Sequence, residues 1–472
     1  MNRPLSAVAK SRLRRLRRAS LFSRRLWLHR IVWWVGAILI GLAAILFADA
    51  ADQADRLRRM ISARNPAWML LMAPAGLALS AWLTRSAFRG AQGSGIPQTI
   101  AALHMRHASS VDRVLSLRIA FGKMLLTVLG ILSGASIGRE GPTVQVGASI
   151  MHALGRALRL SDVAMRRALI LAGGAAGISA AFNTPLGGIV FAIEELSHSF
   201  EARTSGTMLT AVILSGVTSL ALVGNYTYFG HTTATLPIGA GWIAVIACGL
   251  VGGVSGGAFS ALLVRMSGGL PGRAGSFVRD RPILFAGLCG LVLALIGLAS
   301  HGTSYGTGYG EARHLVDGSV HFPASFFAWK FAASLVSYCS GIPGGIFAPS
   351  LSVGAGIGGW IAVYLPHSPS GAVVLLGMVA YFAAVVQAPL TATVIVMEMT
   401  DNQGLTVPLL ATSFLAYGVS RLVSRRALYG ALAQRFLLAI EPASSIKTSV
   451  AMEPEPAHSD RGERDRPSSA PP

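Results

Sequence analysis

Residues 138–150 read GREGPTVQVGASI, and residues 345–357 read GIFAPSLSVGAGI. The two stretches align without a gap and share the pattern G-x-x-x-P-[TS]-[VL]-x-V-G-A-x-I. Each joins a glycine–proline break to a run of small and apolar residues. Two copies of so specific a pattern predict a repeated structural unit, as in transporters built from paired halves.

A second pair of segments follows the two copies at a similar distance. AFNTPL at residues 181–186 resembles VVQAPL at residues 385–390, and a glutamate stands nine residues after each proline, Glu194 and Glu398. Agreement at both places predicts two homologous halves, residues 31–228 and residues 229–440.

Long stretches without a charged side chain predict a membrane protein. The 472 residues are 52% hydrophobic and 13% charged, whereas a typical soluble domain carries about 25% charged residues. Asp, Glu, Lys and Arg are absent between Arg203 and Arg265 and between Lys330 and Glu398. Each gap has room for several membrane-crossing helices of about 20 residues. We therefore predict an all-α polytopic membrane fold.

Basic residues mark both ends of the chain. Residues 1–30 hold ten of them and no acid, directly before the apolar run 31–48, and four arginines follow the last apolar block. Such flanks are typical of the cytoplasmic side. We expect a multi-pass protein of the cell (inner) membrane with both termini cytoplasmic and with segment 1–30 at lipid headgroups rather than nucleic acid. The tail 441–472, rich in Pro, Ser and alternating charge, is expected to be disordered and cytoplasmic.

Three segments place glycine ahead of proline and a helix-compatible run. Proline suits the first turn of a helix and glycine allows a tight bend, so each segment predicts a helix N-terminus inside the membrane. Such an end has unpaired N–H groups and a partial positive charge, which in lipid need a partner. A small anion meets that need and is still free to leave. The segments are Gly93, Ser94, Gly95, Ile96 and Pro97; Gly138, Arg139, Glu140, Gly141 and Pro142; and Gly345, Ile346, Phe347, Ala348 and Pro349.

Acidic residues within this apolar sequence are candidates for proton transfer. Glu140 lies in the second segment, where its charged form could fill the anion site and its protonated form could leave it. The simpler interpretation is a carboxylate that caps a helix. Glu194 and Glu195 end an apolar stretch, and the residues alone favour the interpretation that one of them is an interfacial residue at the cytoplasmic end of a span.

These residues together resemble the CLC family of chloride channels and transporters over about residues 30–440. The resemblance rests on GSGIP, GREGP and GGIFAP in this order, on Lys123 seventeen residues before Glu140, on FNTPL followed by EE, and on PLTATVIVMEMTDN at residues 389–402. It implies two inverted halves with discontinuous and tilted helices. It also implies a homodimer with one anion pathway per subunit.

The resemblance assigns roles to individual residues. Ser94 would give a hydroxyl to chloride, Ile346 and Phe347 would give backbone N–H groups, Glu140 would be the external gate, Glu195 would transfer protons on the inner side, and Tyr429 would supply a second hydroxyl. The family more often has proline at the position of Ala427, next to the RALY match that ends at Tyr429.

Two details of the resemblance favour chloride/proton exchange. Ser94 is typical of members that prefer chloride, whereas proline there would suggest nitrate. Passive channels, the alternative, usually replace the internal glutamate, but both acids are present here. The fluoride-exporting branch departs from GREGP. A nucleotide-sensing domain is not expected after residue 440.

An intramembrane enzyme is the rival from another class. GASIG at 134–138 and GVSGG at 253–257 match G-x-S-x-G, but without strand–turn–helix context or an acid–histidine pair. GAGIGG at 354–359 matches G-x-G-x-x-G without its acidic partner, and Cys248, Cys289 and Cys339 have no metal-type spacing. We expect no enzyme, no cofactor and no metal site.

Overall fold

The computed structural model describes residues 24–440, apart from residues 161, 198–201, 225–227, 231, 233, 237–238, 240, 270 and 321. Most of the basic segment 1–30 and the whole tail 441–472 lie outside the described residues. The predictions made for their contacts and disorder therefore stay predictions.

Helices make up almost all of the described chain up to residue 228. In chain order they are α1 Arg24–Arg64, α2 Met69–Ser86, α3 Ile96–His104, α4 Ala108–Asp112, α5 Leu117–Leu132, α6 Glu140–Ala157, α7 Val163–Phe182, α8 Pro185–Phe191 and α9 Ala202–Val223. A 3₁₀ turn, Pro66–Trp68, precedes α2, and a π-helix, Ala192–Ser197, continues α8.

The chain after residue 228 is equally helical. Its helices are α10 Trp242–Ser267, α11 Gly272–Asp280, α12 Pro282–Ala299, α13 Tyr309–Asp317, α14 Phe326–Cys339, α15 Phe347–Ala362, α16 Ser370–Val386, α17 Pro389–Thr400, α18 Thr406–Val423 and α19 Leu428–Ile440. No strand forms among the described residues, and two isolated backbone bridges are the exceptions to helix and loop.

Seven of the described helical segments are long and apolar enough to cross a membrane. They contain α1, α2, α5, α7, α10, α12 and α18. Large apolar side chains such as Leu46, Phe121 and Val254 are exposed on them, as lipid-facing residues are. The predicted all-α polytopic fold class is confirmed.

Shorter apolar helices form the centre of the molecule. From Gly371 to Val386, every residue of α16 is buried, and so is most of α15. Neither helix carries an acidic or basic side chain, because nothing around them could solvate a charge. The centre is therefore built from helices that touch protein on all sides.

Glycine pairs bring the central helices into backbone contact, once in each half of the sequence. Gly147 of α6 faces Gly173 of α7, and Gly354 of α15 faces Gly377 of α16. A Cβ atom added at Gly173 would lie 2.4 Å from the Gly147 carbonyl oxygen, and one added at Gly377 would lie 2.4 Å from the Gly354 oxygen. Only glycine permits so close an approach.

We expect Gly173→Ala and Gly377→Ala each to lower the free energy of unfolding by at least about 1–3 kcal/mol, because the added methyl forces two helix backbones apart. The measurement is the midpoint of thermal unfolding in detergent. Gly418→Ala in α18 is the matched control, because its added methyl meets no heavy atom within 4 Å. A wild-type midpoint for both central variants would contradict this packing.

Candidate anion-binding site

Two isolated backbone bridges bring the three glycine–proline segments together. In the antiparallel bridge, the amides of Gly138 and Gly345 each donate to the other's carbonyl at 2.7 Å. In the parallel bridge, Gly93 donates to the Ile342 carbonyl at 3.2 Å and accepts from the Gly344 amide at 3.0 Å. Residues more than 200 positions apart thus share one short stretch of hydrogen-bonded backbone.

Each of the three segments leads directly into a helix. Ile96 begins α3 after Gly95, whose φ of +105° requires glycine. Glu140 begins α6 and Phe347 begins α15. These starts are buried, so the free N–H groups and partial positive charges of three first turns lie inside the protein.

Polar side-chain atoms beside these helix starts have no partner among the described residues. They are the Ser94 hydroxyl, the Tyr429 hydroxyl and Oε2 of Glu140, all buried. Tyr429 begins the last helix with Leu428, and its ring packs on that of Phe347 at a centroid distance of 6.0 Å. Because these three atoms lie beside helix starts that also have free N–H groups, together they indicate a ligand site.

Glu140 adds a carboxylate to this site. Its Oε1 accepts a hydrogen bond of 2.6 Å from the Tyr309 hydroxyl. A Cβ atom added at Gly138 would lie 2.3 Å from Glu140 Oε2 and 3.3 Å from the amide nitrogen of Ala348. The carboxylate therefore lies against the start of α15.

Arg139 directs its charge away from the helix starts. Its guanidinium donates to the Ala48 carbonyl at 2.7 Å, to Asp52 at 3.0 Å and to the Tyr228 hydroxyl at 2.9 Å. The Tyr228 hydroxyl in turn donates to the Ala181 carbonyl at 2.9 Å. The arginine thereby ties α1 to the start of α6 and leaves the site without a full positive charge.

A buried lysine holds the loop in front of α3. The ammonium group of Lys123 donates to the carbonyls of residues 91–93 at 2.7–3.3 Å. These carbonyls come directly before Ser94, so the lysine fixes the turn that presents the serine hydroxyl. The three donors of the ammonium group are all used.

The sequence contains a fourth glycine-rich segment before a helix, which the glycine–proline pattern does not identify. Lys330 is buried and donates to the carbonyls of residues 304–306 at 2.8–3.1 Å. It precedes Phe347 by seventeen positions, as Lys123 precedes Glu140. The segment GTGY, residues 306–309, repeats the GSGI of residues 93–96. Both of its glycines have positive φ, and the segment leads into α13. The lysine spacing was the signal that could have found it.

Glu194 and Glu195 have different environments. Glu194 accepts from the amides of Leu390 and Thr391 at 3.1 and 2.6 Å, at the start of α17. Glu195 is 4% exposed and has no hydrogen bond among the described contacts. The Tyr429 hydroxyl lies within electrostatic range of both Glu195 and Glu140. The π-helix, a geometry frequent at functional sites, separates the roles of the two neighbouring acids.

Glu398 makes the reciprocal contact of Glu194. It accepts from the amides of Leu186 and Gly187 at 3.2 and 2.7 Å, at the start of α8. The C-terminal end of each helix thus caps the N-terminal end of the other, so α8 and α17 run antiparallel. This exchange pairs the two glutamates that follow the repeated prolines.

The serine of GASIG, one of the three rival motifs, contacts two other serines. Ser136 of GASIG lies 3.0 Å from the Ser334 hydroxyl, and its amide donates to Ser337. The three cysteines are free thiols. Within the part of the chain that the structure describes, no group of three or more His, Cys, Asp or Glu could hold a metal ion.

Comparison with known proteins matches most of the chain to a single protein family. A model described as voltage gated chloride channel matches residues 76–421. The H(+)/Cl(-) exchange transporter ClcA of Yersinia pestis bv. Antiqua (strain Angola) is 31% identical over 443 residues, covering 89% of this chain and 90% of the relative. The transporter of the same name from Yersinia pseudotuberculosis serotype IB (strain PB1/+) has the same identity and coverage.

Solved structures share the fold. A slow cyanobacterial Cl-/H+ antiporter superposes with a TM-score of 0.74 at 26% identity, covering 86% of this chain and 98% of that one. A CLC-type fluoride/proton antiporter superposes with a TM-score of 0.73 at 22% identity, covering 87% and 99%. The second likeness concerns the fold alone.

We expect Glu194→Ala and Glu398→Ala to cause similar losses of about 0.5–2 kcal/mol each, because each removes a capping carboxylate from the partner helix. Thermal unfolding in detergent measures the loss. Asp280→Ala, at an exposed acid that ends α11, is the control. A loss in only one of the two variants would show that the crosswise caps are not equivalent.

Proposed function

The chain is an integral membrane protein of the voltage-gated chloride channel family, CLC, and on that premise we propose that it exchanges chloride for protons across the cell (inner) membrane. The observation that carries the proposal is the buried meeting of three helix starts with two unpartnered hydroxyls and one carboxylate. The relatives named H(+)/Cl(-) exchange transporter support the same activity.

Chloride binds, in this proposal, between the helix starts on the side of the hydroxyls. Ser94 and Tyr429 donate their O–H groups, and Ile346 and Phe347 donate backbone N–H groups. Partial charges of helix ends attract the anion. Because Arg139 is engaged elsewhere, no full positive charge traps it, and rapid release remains possible.

Glu140 acts as the gate. Its charged carboxylate competes with the anion for the start of α15, against which it already lies. A proton from the outer side neutralises it and weakens its attraction to the helix ends, so the side chain leaves and chloride enters. When that proton is released to the inner side and the chloride leaves to the outer side, the two ions have moved in opposite directions.

Glu195 delivers protons from the inner side. Burial disfavours a permanent charge on it. Its carboxylate does not cap a helix among the described contacts, whereas that of Glu194 accepts from two backbone amides of α17. Tyr429, a proposed chloride ligand, interacts electrostatically with both glutamates, which supports a proton route from Glu195 to Glu140 that passes beside the anion site.

A passive chloride channel is the alternative function. It would use the same anion site and differ only in whether proton movement is obligatory. The presence of both Glu140 and Glu195 supports exchange, as do the names of the relatives. We propose chloride rather than fluoride because Ser94 and GREGP are those of chloride-preferring members, and a transporter rather than an enzyme because the relatives are exchangers.

We further propose that residues 31–228 and 229–440 are inverted halves, that both termini are cytoplasmic, and that the protein is a homodimer with one pathway per subunit. The reciprocal caps of α8 and α17 and the duplicated lysines support the inversion. The family resemblance supports the homodimer.

We expect the purified protein in liposomes to drive protons uphill when a chloride gradient is imposed. Glu140→Ala should keep chloride flux and lose proton coupling, because the site then has no titratable occupant. Glu195→Gln should reduce proton movement to that of empty liposomes and spare chloride. Chloride efflux and external pH are recorded together.

Glu194→Gln is the matched control, since its amide oxygen can still accept from one of the two α17 amides and the neighbouring Glu195 is intact. It should keep coupled exchange. Chloride flux without uphill protons in the wild type would favour the channel, and proton pumping by the Glu195 variant would remove that residue from the pathway.

A further inference from the structure

We propose that Tyr309 is a positioning residue that holds the gate in its closed place through a hydrogen bond to Glu140. The inference rests on the gating role of Glu140 proposed above. It adds a residue from the other half of the sequence, 169 positions away, for which neither the motifs nor the comparisons give a role.

The contact itself is short and directional. The Tyr309 hydroxyl donates to Glu140 Oε1 at 2.6 Å, at the short end of the range for O–H···O hydrogen bonds. Glu140 is buried, and its other oxygen has no partner among the described residues. Tyr309 is therefore the side chain that fixes the direction of the carboxylate.

The tyrosine ring is held rigidly enough to act as a fixed donor. It stacks on the Tyr228 ring at a centroid distance of 4.9 Å and an interplanar angle of 24°, and it contacts Phe229 at 5.6 Å. Tyr228 is itself fixed between Arg139 and the Ala181 carbonyl. The donor thus keeps its position when the carboxylate leaves.

The backbone explains how the hydroxyl reaches the gate. Tyr309 begins α13 directly after Gly308, whose φ is +82°, as Ile96 begins α3 after Gly95. Lys330 fixes the preceding loop as Lys123 fixes the one before Ser94. Each half therefore sends one hydroxyl from a GxG turn toward the helix starts, Ser94 from one side and Tyr309 from the other.

A phenol that donates to the gate favours the charged carboxylate, since the charge strengthens the bond. The titratable groups that act on Glu140 are Arg139 beside it, Tyr309 from α13 and Tyr429 from α19. Asp52 of α1 and Tyr228 reach it through Arg139. Of these groups, Tyr309 alone has a hydrogen bond to the carboxylate among the described contacts.

Removal of the donor should weaken the hold on the carboxylate in its closed position. In Tyr309→Phe we expect the pH of half-maximal chloride flux to rise by about one to two units, the equivalent of one hydrogen bond to a charged group. The measurement is chloride efflux from proteoliposomes between acid and neutral pH. It does not depend on proton coupling, so it tests the tyrosine whether the protein is an exchanger or a channel.

Two controls separate positioning from a general structural effect. Tyr381→Phe removes another buried hydroxyl, whose ring contacts Phe259 and Phe331 and which has no hydrogen bond to Glu140 among the described contacts, and should leave the pH profile unchanged. In the Glu140→Ala background, Tyr309→Phe should cause no further shift. A wild-type profile in Tyr309→Phe, or an equal shift without Glu140, overturns the proposal.

A third variant covers the case in which Tyr309→Phe does not fold. Incorporation of 3-fluorotyrosine at position 309 keeps the ring and makes its hydroxyl a stronger donor, so the half-maximal pH should fall. A rise or no change would contradict the proposed bond. Absence of any chloride flux in the wild type would instead refute the proposed function, and the role of Tyr309 with it.

Discussion

The starts of α3, α6 and α15 lie inside the protein, and the need to satisfy them governs the surrounding structure. A helix start has N–H groups without a partner in its own helix, and lipid offers none. The loops that precede these starts carry carbonyls with the same need. Two backbone bridges and a buried lysine meet the demand of the loops. The helix starts themselves keep free donors and a partial positive charge, which is the property that an anion site requires.

Three structural features of this region occur twice in the chain. A lysine seventeen positions before a helix start, a glycine pair between two central helices, and a glutamate cap on an antiparallel neighbour are all repeated. The bridge between Gly138 and Gly345 joins the two copies directly. Because each half supplies partners for the other's helix ends, neither half could satisfy its own buried backbone alone.

The two copies of the repeat differ at the site where chloride and the Glu140 carboxylate would compete. Glu140 in one copy corresponds to Phe347 in the other, and Ile96 corresponds to Tyr309. One carboxylate therefore stands at the meeting point, bonded to a phenol and accompanied by two hydroxyls that have no partner among the described residues. A symmetric site would have a carboxylate in each copy, whereas this site has one carboxylate, in the first copy only. That asymmetry is the physical basis of the proposed gate.

The sequence by itself determined the membrane class, the all-helical fold, the repeat and the three helix starts, because glycine, proline and absent charge are local signals. It could also have given Lys330 from its spacing. It could not separate Glu194 from Glu195, because the two acids are adjacent in the sequence. Only the folded π-helix shows that Glu194 caps α17. Nor could it find Tyr309, a tyrosine in an ordinary GTGY turn. Its contact with Glu140 exists only because tertiary packing brings together residues that the chain keeps far apart.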